Sequence, residues 1–332
     1  MGKQLSIGKY LGLKRIANER GLLTITAMDH RGSLKRALNP DDPKAVSYAE
    51  LVELKKQIAR HLAPVSSALL LDPEYAAGPL IAEDILPRGI GLLVALEKSG
   101  YAGSPNARVT ELLPGWSVEK IKRMGADAVK LLLYYNPDAG DLAKRQEELV
   151  IQVAEDCKKF DIPFLLEPIT YPLDPGMDPK GPEFAKLKPD LVIRSADRLS
   201  GLGIDVLKAE YPVLSAHHHD EDEQLKLCRE LDSASRVPWA LLSAGVDYET
   251  FFQQVMIASE AGASGFLAGR AIWQEAPKLP PEERERFLAT TSVMRLKNIA
   301  NVAEAYGRPW WEHPSFERPI CPAATEGWYR DY

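Results

Sequence analysis

The run GIDVLKAEYPV, residues 203–213, sets an ammonium and a carboxylate inside what reads as a buried strand. Side chains alternate across a strand, so Val206, Lys208 and Glu210 share one face while Leu207, Ala209 and Tyr211 share the other. A second lysine, Lys130, stands in AVKLLLYY at 128–135 with apolar residues on both sides. A buried ammonium with neither partner nor role costs several kcal/mol in desolvation, so both lysines point to function. Brought into one cavity they repel each other, and desolvation acts the same way, so one is expected to shed its proton near neutral pH. A neutral amine adds to a carbonyl carbon and forms a Schiff base, whose protonated form draws electrons from the neighbouring bond. Nearby carboxylates can move the protons; Asp29, after LLTITAM, and Glu167, in PFLLEP, are placed to do so. An activated lysine, a cationic neighbour, a Glu and an Asp suit carbon–carbon cleavage next to a ketone.

A second group of residues fits an anion. LLSAGVD and GFLAGRAIW bring Ser243, Gly245, Gly269 and Arg270 to the ends of two late apolar runs. Glycine amides, a hydroxyl and a planar guanidinium there can cradle a phosphate. Asp72 and Glu97, at the edges of loops, read as salt bridges closing the same surface. The HHHDEDE run at 217–223 invites a metal, but adjacent imidazoles point in different directions, so a solvated loop leading into a helix is expected.

These residues need a frame that gathers strand ends. Eight short apolar runs, at 22–28, 67–72, 90–96, 128–135, 163–168, 204–210, 239–244 and 264–268, are bounded by turn residues. Helix-period segments lie between them, at 47–62, 117–124, 141–159, 220–231 and 248–261. Alternation of this kind predicts an all-parallel sheet, and eight units is the number at which it closes into a (β/α)8 TIM barrel. The competing open, doubly wound sheet lacks its fingerprint, since AMDHRG rather than G-x-G-x-x-G follows the first run. Residues 1–305 are expected to form one barrel domain with an N-terminal helix and a closing helix at 282–305. The Pro- and Trp-rich tail, 306–332, is expected on the outside of the barrel or on a partner subunit of a homo-oligomer.

The bulk composition narrows the class. A chain of 332 residues, 45% hydrophobic and 27% charged, can bury a large core, and its net charge of −6 gives no basic stripe for nucleic acid. Cys157, Cys228 and Cys321 are odd in number and lack metal-ligand spacing, which fits a reducing cytoplasm. The N-terminal stretch has no continuous apolar segment, so no signal peptide or membrane span is expected. Met1-Gly2 to Ser6 matches a myristoylation pattern over too few residues to carry an anchor.

The motifs AMDHRGSLKR, SALLLDPEY, LEKSGY, GADAVKLLLYY, IPFLLEP, DVLKAEYPV, LLSAGV and GFLAGRAIW occur in an order that resembles the class I tagatose-1,6-bisphosphate aldolases and their relatives, including the sulfofructose-1-phosphate aldolases. The resemblance runs from about residue 20 to 275. It implies a (β/α)8 fold, a Schiff-base lysine at Lys208, Lys130 as the cationic neighbour, Glu167 as acid/base, and Asp29 orienting hydroxyls and the carbinolamine. It also implies Ser243, Gly245, Gly269 and Arg270 as binders of a ketose C1 phosphate, with no metal and no cofactor. The substrate would be a phosphorylated ketose cleaved to dihydroxyacetone phosphate and a three-carbon aldehyde, glyceraldehyde 3-phosphate or sulfolactaldehyde. A second anion at C6 would fall to Arg31 and Lys98. His30 stands where Gln is usual in the family, which puts the far end of the substrate in doubt. Two readings from other classes stay open: a metal-dependent barrel lyase or isomerase, and a non-catalytic sugar-phosphate-binding protein.

Overall fold

The structure, a computed structural model, describes residues 3–330 and residue 332, so Met1 and Gly2 of the myristoylation-like pattern lie outside the described residues. Eight parallel strands form a closed barrel: β1 (Leu23–Met28), β2 (Ala68–Leu71), β3 (Gly91–Ala95), β4 (Ala128–Tyr134), β5 (Phe164–Ile169), β6 (Val206–Ala209), β7 (Trp239–Leu242) and β8 (Gly265–Ala268). β1 pairs on one side with β2, Ile25 opposite Ala68, and on the other with β8, Leu23 opposite Gly265. That double pairing closes the sheet and rules out the open alternative.

Each strand is buried on both faces, which is why the sequence shows continuous apolar runs. Leu23, Ile25, Leu70, Leu93, Leu165, Val206 and Leu267 fill the barrel interior. Met28, Leu71, Val94, Leu131, Leu166, Leu207 and Phe266 face outward against helical residues such as Leu51, Ile58, Val150 and Phe251. The expected helices form at Tyr48–Leu62, Val118–Arg123, Asp141–Lys159, Glu221–Ala234 and Tyr248–Glu260. Ser47 starts the first with a capping box: its Oγ accepts from the Glu50 amide at 3.2 Å and the Glu50 carboxylate accepts from the Ser47 amide at 2.9 Å, an arrangement worth about 1 kcal/mol. One further helix, Pro182–Ser200, has no counterpart among the periodic segments above, and Pro189 in its interior is a residue that argues against a helix on sequence grounds. The closing helix runs from Pro281 to Tyr306 with a π-helical turn at Leu288–Ser292.

The tail and the N-terminal helix (Ile7–Ile16) together form the barrel floor. Trp310 is fully buried and packs against Tyr10, Trp311 and Phe316, with ring centroids 5.7–5.9 Å away. The Leu5 amide donates to the Ile320 carbonyl at 2.7 Å, tying the two chain ends together. Beneath them Asp205 receives Lys3 on one oxygen and Lys9 on the other, each at 2.7 Å, and the Phe164 amide at 2.9 Å. Burial alone would raise the Asp205 carboxyl, but the two ammonium groups outweigh it and hold it below the usual range. Among the described residues no helix is long and apolar enough to cross a membrane.

Candidate active site

The C-terminal strand ends open onto a cavity of about 600 Å³. Alternation along β4 turns Lys130, Leu132 and Tyr134 inward, along β5 Leu165, Glu167 and Ile169, and along β6 Val206 and Lys208; Asp29 follows β1 directly. Four of the sequence-predicted residues thereby meet. Lys208 Nζ lies 2.7 Å from Glu167 Oε1. Lys130 Nζ lies 2.8 Å from Glu167 Oε2, 2.7 Å from Asp29 Oδ2 and 2.6 Å from Glu97 Oε1.

The two lysines therefore meet through a carboxylate. Burial works against charge on the fully enclosed Lys130, but Asp29, Glu167 and Glu97 prevail and keep it protonated well above the ordinary lysine range. Burial would raise Asp29 and Glu167, yet the Lys130 and Lys208 ammonium groups pull both down, Asp29 most strongly. Lys130 donates directed hydrogen bonds to Asp29 and Glu97, and Glu167 Oε2 lies beside it at 2.8 Å. Glu167 is thus held by charge between the two lysines.

Glu97 does form a salt bridge, as its place at a loop edge predicts, but with Lys130 inside the cavity, and its second oxygen accepts from the Leu132 amide at 3.0 Å. Asp72 is structural: buried outside the cavity, it pairs with Lys55 and caps the turn Pro73–Ala77 by accepting from the Tyr75 amide at 2.8 Å. Glu210 sits on the inward face above Lys208 but is occupied, accepting from Thr170 twice at 2.7 Å and from Lys188 at 3.0 Å.

The anion group also assembles. Ser243 Oγ accepts from the Gly269 amide at 3.3 Å. Gly245 has φ +76°, and a Cβ there would fall 2.6 Å from Arg270 Cζ, so only glycine lets the guanidinium lie against this backbone. Arg270 Nε has no partner, and among the described residues no carboxylate lies within ion-pair distance of its guanidinium. A Cβ at Gly269 would meet His30 Cε1 at 2.7 Å. The His30 ring stands edge-on to Trp273, centroids 5.3 Å apart, with Nδ1 unpartnered. Burial, aided by Arg270 and Lys208 and opposed by Asp29, pushes its pKa down to about 3, so the imidazole is neutral.

Arg31 and Lys98 both line the cavity. Arg31 donates to Glu74 at 2.6 Å and to the Glu97 carbonyl at 2.7 Å, and Lys98 pairs with Glu111 at 3.0 Å. Each has a carboxylate partner that its own motif does not show, Lys98 in a solvent-exposed pair. Sequence reasoning also passed over Tyr134, which strand alternation could have flagged, Arg36, in the short helix Gly32–Leu38, and Ser99, in a loop that carries no periodic signal. The short antiparallel hairpin Ala102–Ser104 with Ala107–Val109 lays Arg108 over the rings of Tyr101, Tyr134 and Tyr171 at 4.9, 5.6 and 5.3 Å. His217 of the histidine run rests against the Lys180 carbonyl at 2.9 Å, and Asp220 caps the next helix. Among the described residues no group of three or more His, Cys, Asp or Glu side chains has a metal-binding arrangement.

The family model described as DeoC/LacD family aldolase matches residues 23–275. Tagatose 1,6-diphosphate aldolase 1 of Streptococcus mutans serotype c is 34% identical over 90% of this chain and 97% of its own length. Tagatose 1,6-diphosphate aldolase 2 of Streptococcus agalactiae serotype III is 34% identical over 90% and 96%. In fold, the chain is similar to an archaeal fructose-1,6-bisphosphate aldolase whose catalytic Lys was captured covalently bound to the carbinolamine intermediate (TM-score 0.57, 21% identity, 89% of this chain and 98% of that one). It is also similar to fructose-bisphosphate aldolase of Plasmodium falciparum (TM-score 0.68, 14% identity, 92% and 98%). With its closed barrel, its family model matched over residues 23–275 and relatives 34% identical along nine tenths of its length, the chain belongs to the DeoC/LacD family of aldolases, which are carbon–carbon lyases.

Proposed function

We propose that this aldolase works through a Schiff base on Lys208 and cleaves a ketose 1,6-bisphosphate, tagatose 1,6-bisphosphate or a close analogue, to dihydroxyacetone phosphate and glyceraldehyde 3-phosphate. The observation that carries the reading is Glu167 shared between two lysines, 2.7 Å from Lys208 and 2.8 Å from Lys130. Lys208 Nζ passes a proton to Glu167, and the freed pair adds to C2 of the ketose while the C2 oxygen takes up the proton leaving nitrogen. Glu167 returns its proton to that hydroxyl, water departs, and a protonated imine remains. The Glu167 carboxylate then takes the C4 hydroxyl proton as the C3–C4 bond breaks. The bonding pair moves into the imine to give an enamine, and C4 leaves as the aldehyde. Protonation at C3 and addition of water at C2 release dihydroxyacetone phosphate and restore the amine. Lys130, kept charged by its carboxylates, is the fixed cation that keeps Glu167 from holding its proton, and Asp29 orients hydroxyls.

Ser243, Gly245, Gly269 and Arg270 take the C1 phosphate in this reading, supported by the unneutralised Arg270. The tagatose substrate rests on the names of the streptococcal relatives, and the covalent lysine of the archaeal enzyme supports the mechanism. Three free cysteines suit a cytoplasmic enzyme, and the exposed Trp328 and Tyr329 of the tail offer surface for a homo-oligomer. Tagatose and fructose 1,6-bisphosphates assayed for both triose phosphates test the reaction. Equimolar products in the presence of EDTA, and inactivation by borohydride only when substrate is present, are expected. Turnover that EDTA abolishes and borohydride leaves untouched would refute the mechanism.

A further inference from the structure

Lys55, on the helix Tyr48–Leu62, is as fully buried as Lys130 but does not line the cavity. Its ammonium has two partners. One is Asp72, directly after β2; the other is the carbonyl of Met28, the last residue of β1, at 2.7 Å. Burial pulls the Lys55 amine below the usual lysine range, against the pull of Asp72 and, after it, Asp29. A charge pair hidden this deeply gives up two hydration shells, and apolar side chains of similar size would hold helix to barrel as well. What the pair adds over such residues is the direction of its second hydrogen bond. The carbonyl that receives it belongs to the peptide bond leading into Asp29.

The same segment is held from its other end. Asp72 also caps the turn Pro73–Ala77, accepting from the Tyr75 amide at 2.8 Å, and Glu74 of that turn accepts from Arg31 at 2.6 Å. Arg31 donates again to the Glu97 carbonyl at 2.7 Å. Met28 and Arg31 thus bracket Asp29 and His30, one tied by its carbonyl and the other by its side chain, and both ties lead to Asp72 and its turn. Between them Asp29 Oδ2 meets Lys130 Nζ at 2.7 Å. A carboxylate that orients hydroxyls loses rate steeply when it is displaced by even about 1 Å, so a backbone fixed on both sides of it bears on turnover.

We propose that Lys55 is a positioning residue for the aldolase reaction: by clamping the Met28 carbonyl from outside the barrel it fixes Asp29 against Lys130 and the substrate. This deepens the reading above and rests on the role given there to Asp29. Two variants separate position from stability. Asp72→Asn leaves Lys55 within reach of the Met28 carbonyl, as ammonium or as neutral amine, and is expected to lower the unfolding midpoint while keeping kcat within about threefold. Lys55→Met made together with Asp72→Asn removes the donor without stranding a charge, and is expected to lower kcat a further tenfold or so. Rates are counted per folded molecule, from near-ultraviolet circular dichroism, and Lys55→Leu takes the place of Lys55→Met where that chain does not fold. In an Asp29→Ala background the same step, from Asp72→Asn to the double variant, is expected to change the residual rate by less than about twofold, because the carboxylate it positions is gone. A loss of stability alone would not produce that dependence on Asp29. A double variant as fast as Asp72→Asn, or a loss that persists in full without Asp29, would overturn the assignment. An Asp29→Ala protein with unchanged kcat would refute the role of Asp29 and the clamp with it, whereas a missing borohydride adduct would count against the Schiff base alone.

Discussion

The floor and the mouth of the barrel both bury lysines against carboxylates, yet they are built to opposite ends. On the floor one carboxylate, Asp205, has both oxygens and a backbone amide satisfied, under a seal of Trp310 and Phe316. In the mouth Lys130 gathers three carboxylates and Glu167 is shared between two lysines, beside an open cavity. A saturated pair holds structure. A shared one, pre-charged and lining a cavity, is placed to exchange protons with a substrate.

If that contrast is right, Lys208→Met should separate catalysis from stability most sharply. Turnover should fall by roughly 10³-fold or more while stability changes by about 1 kcal/mol, because Glu167 keeps Lys130. Steady-state assay and urea unfolding on one preparation check both. Lys130→Met should damage both properties, with turnover down about 10²-fold and a loss of about 3–5 kcal/mol from three carboxylates crowded without their cation. Asp205→Asn should do the reverse of Lys208→Met, costing about 3 kcal/mol and leaving kcat within about twofold. A floor variant that lost turnover without losing stability would break the comparison.

Acid and alkali should sort the two ends. Asp205, Asp29 and Glu167 have depressed pKa values in the folded state, so their stabilisation is present above the unfolded carboxylate range, about 4, and lost as pH falls through the folded values. Lys130 is raised, so its contribution is present below the unfolded lysine value, about 10.4, and lost as pH climbs through the folded one. Unfolding free energy against pH should therefore lose its alkaline limb in Lys130→Met and part of its acid limb in Asp205→Asn. His30 gives the smallest effect. Its pKa is about 3, so the unfolded chain takes up a proton first as pH falls below about 6.5, and stability drops there. His30→Gln should flatten that slope, by about 2 kcal/mol between pH 7 and 5.

The mouth was legible in the sequence and the floor was not, for a physical reason. Lys130 and Lys208 stand inside apolar runs, where an ammonium is conspicuous, and strand alternation assigns both to one face. Closure of the barrel then brings Glu167 and Asp29 to them without further information. Asp205 looks like an ordinary residue of the turn before β6, and its partners Lys3 and Lys9 lie 202 and 196 positions away, near a terminus and on a helix. Arg31 and Lys98 show the same limit within the site: residue type was readable, but Glu74 and Glu111 decide what each cation does. Pro189 hid a helix because its local cost is offset by packing that includes the buried Phe184, Leu191 and Leu199.

The central claim is that the covalent amine is Lys208 and that Lys130, ringed by carboxylates, never bonds to substrate. Reducing the protein with borohydride in the presence of dihydroxyacetone phosphate and mapping the added mass by peptide mass spectrometry tests it directly. The account predicts one adduct, on the peptide containing Lys208; an adduct on Lys130, or none under conditions of turnover, would contradict it.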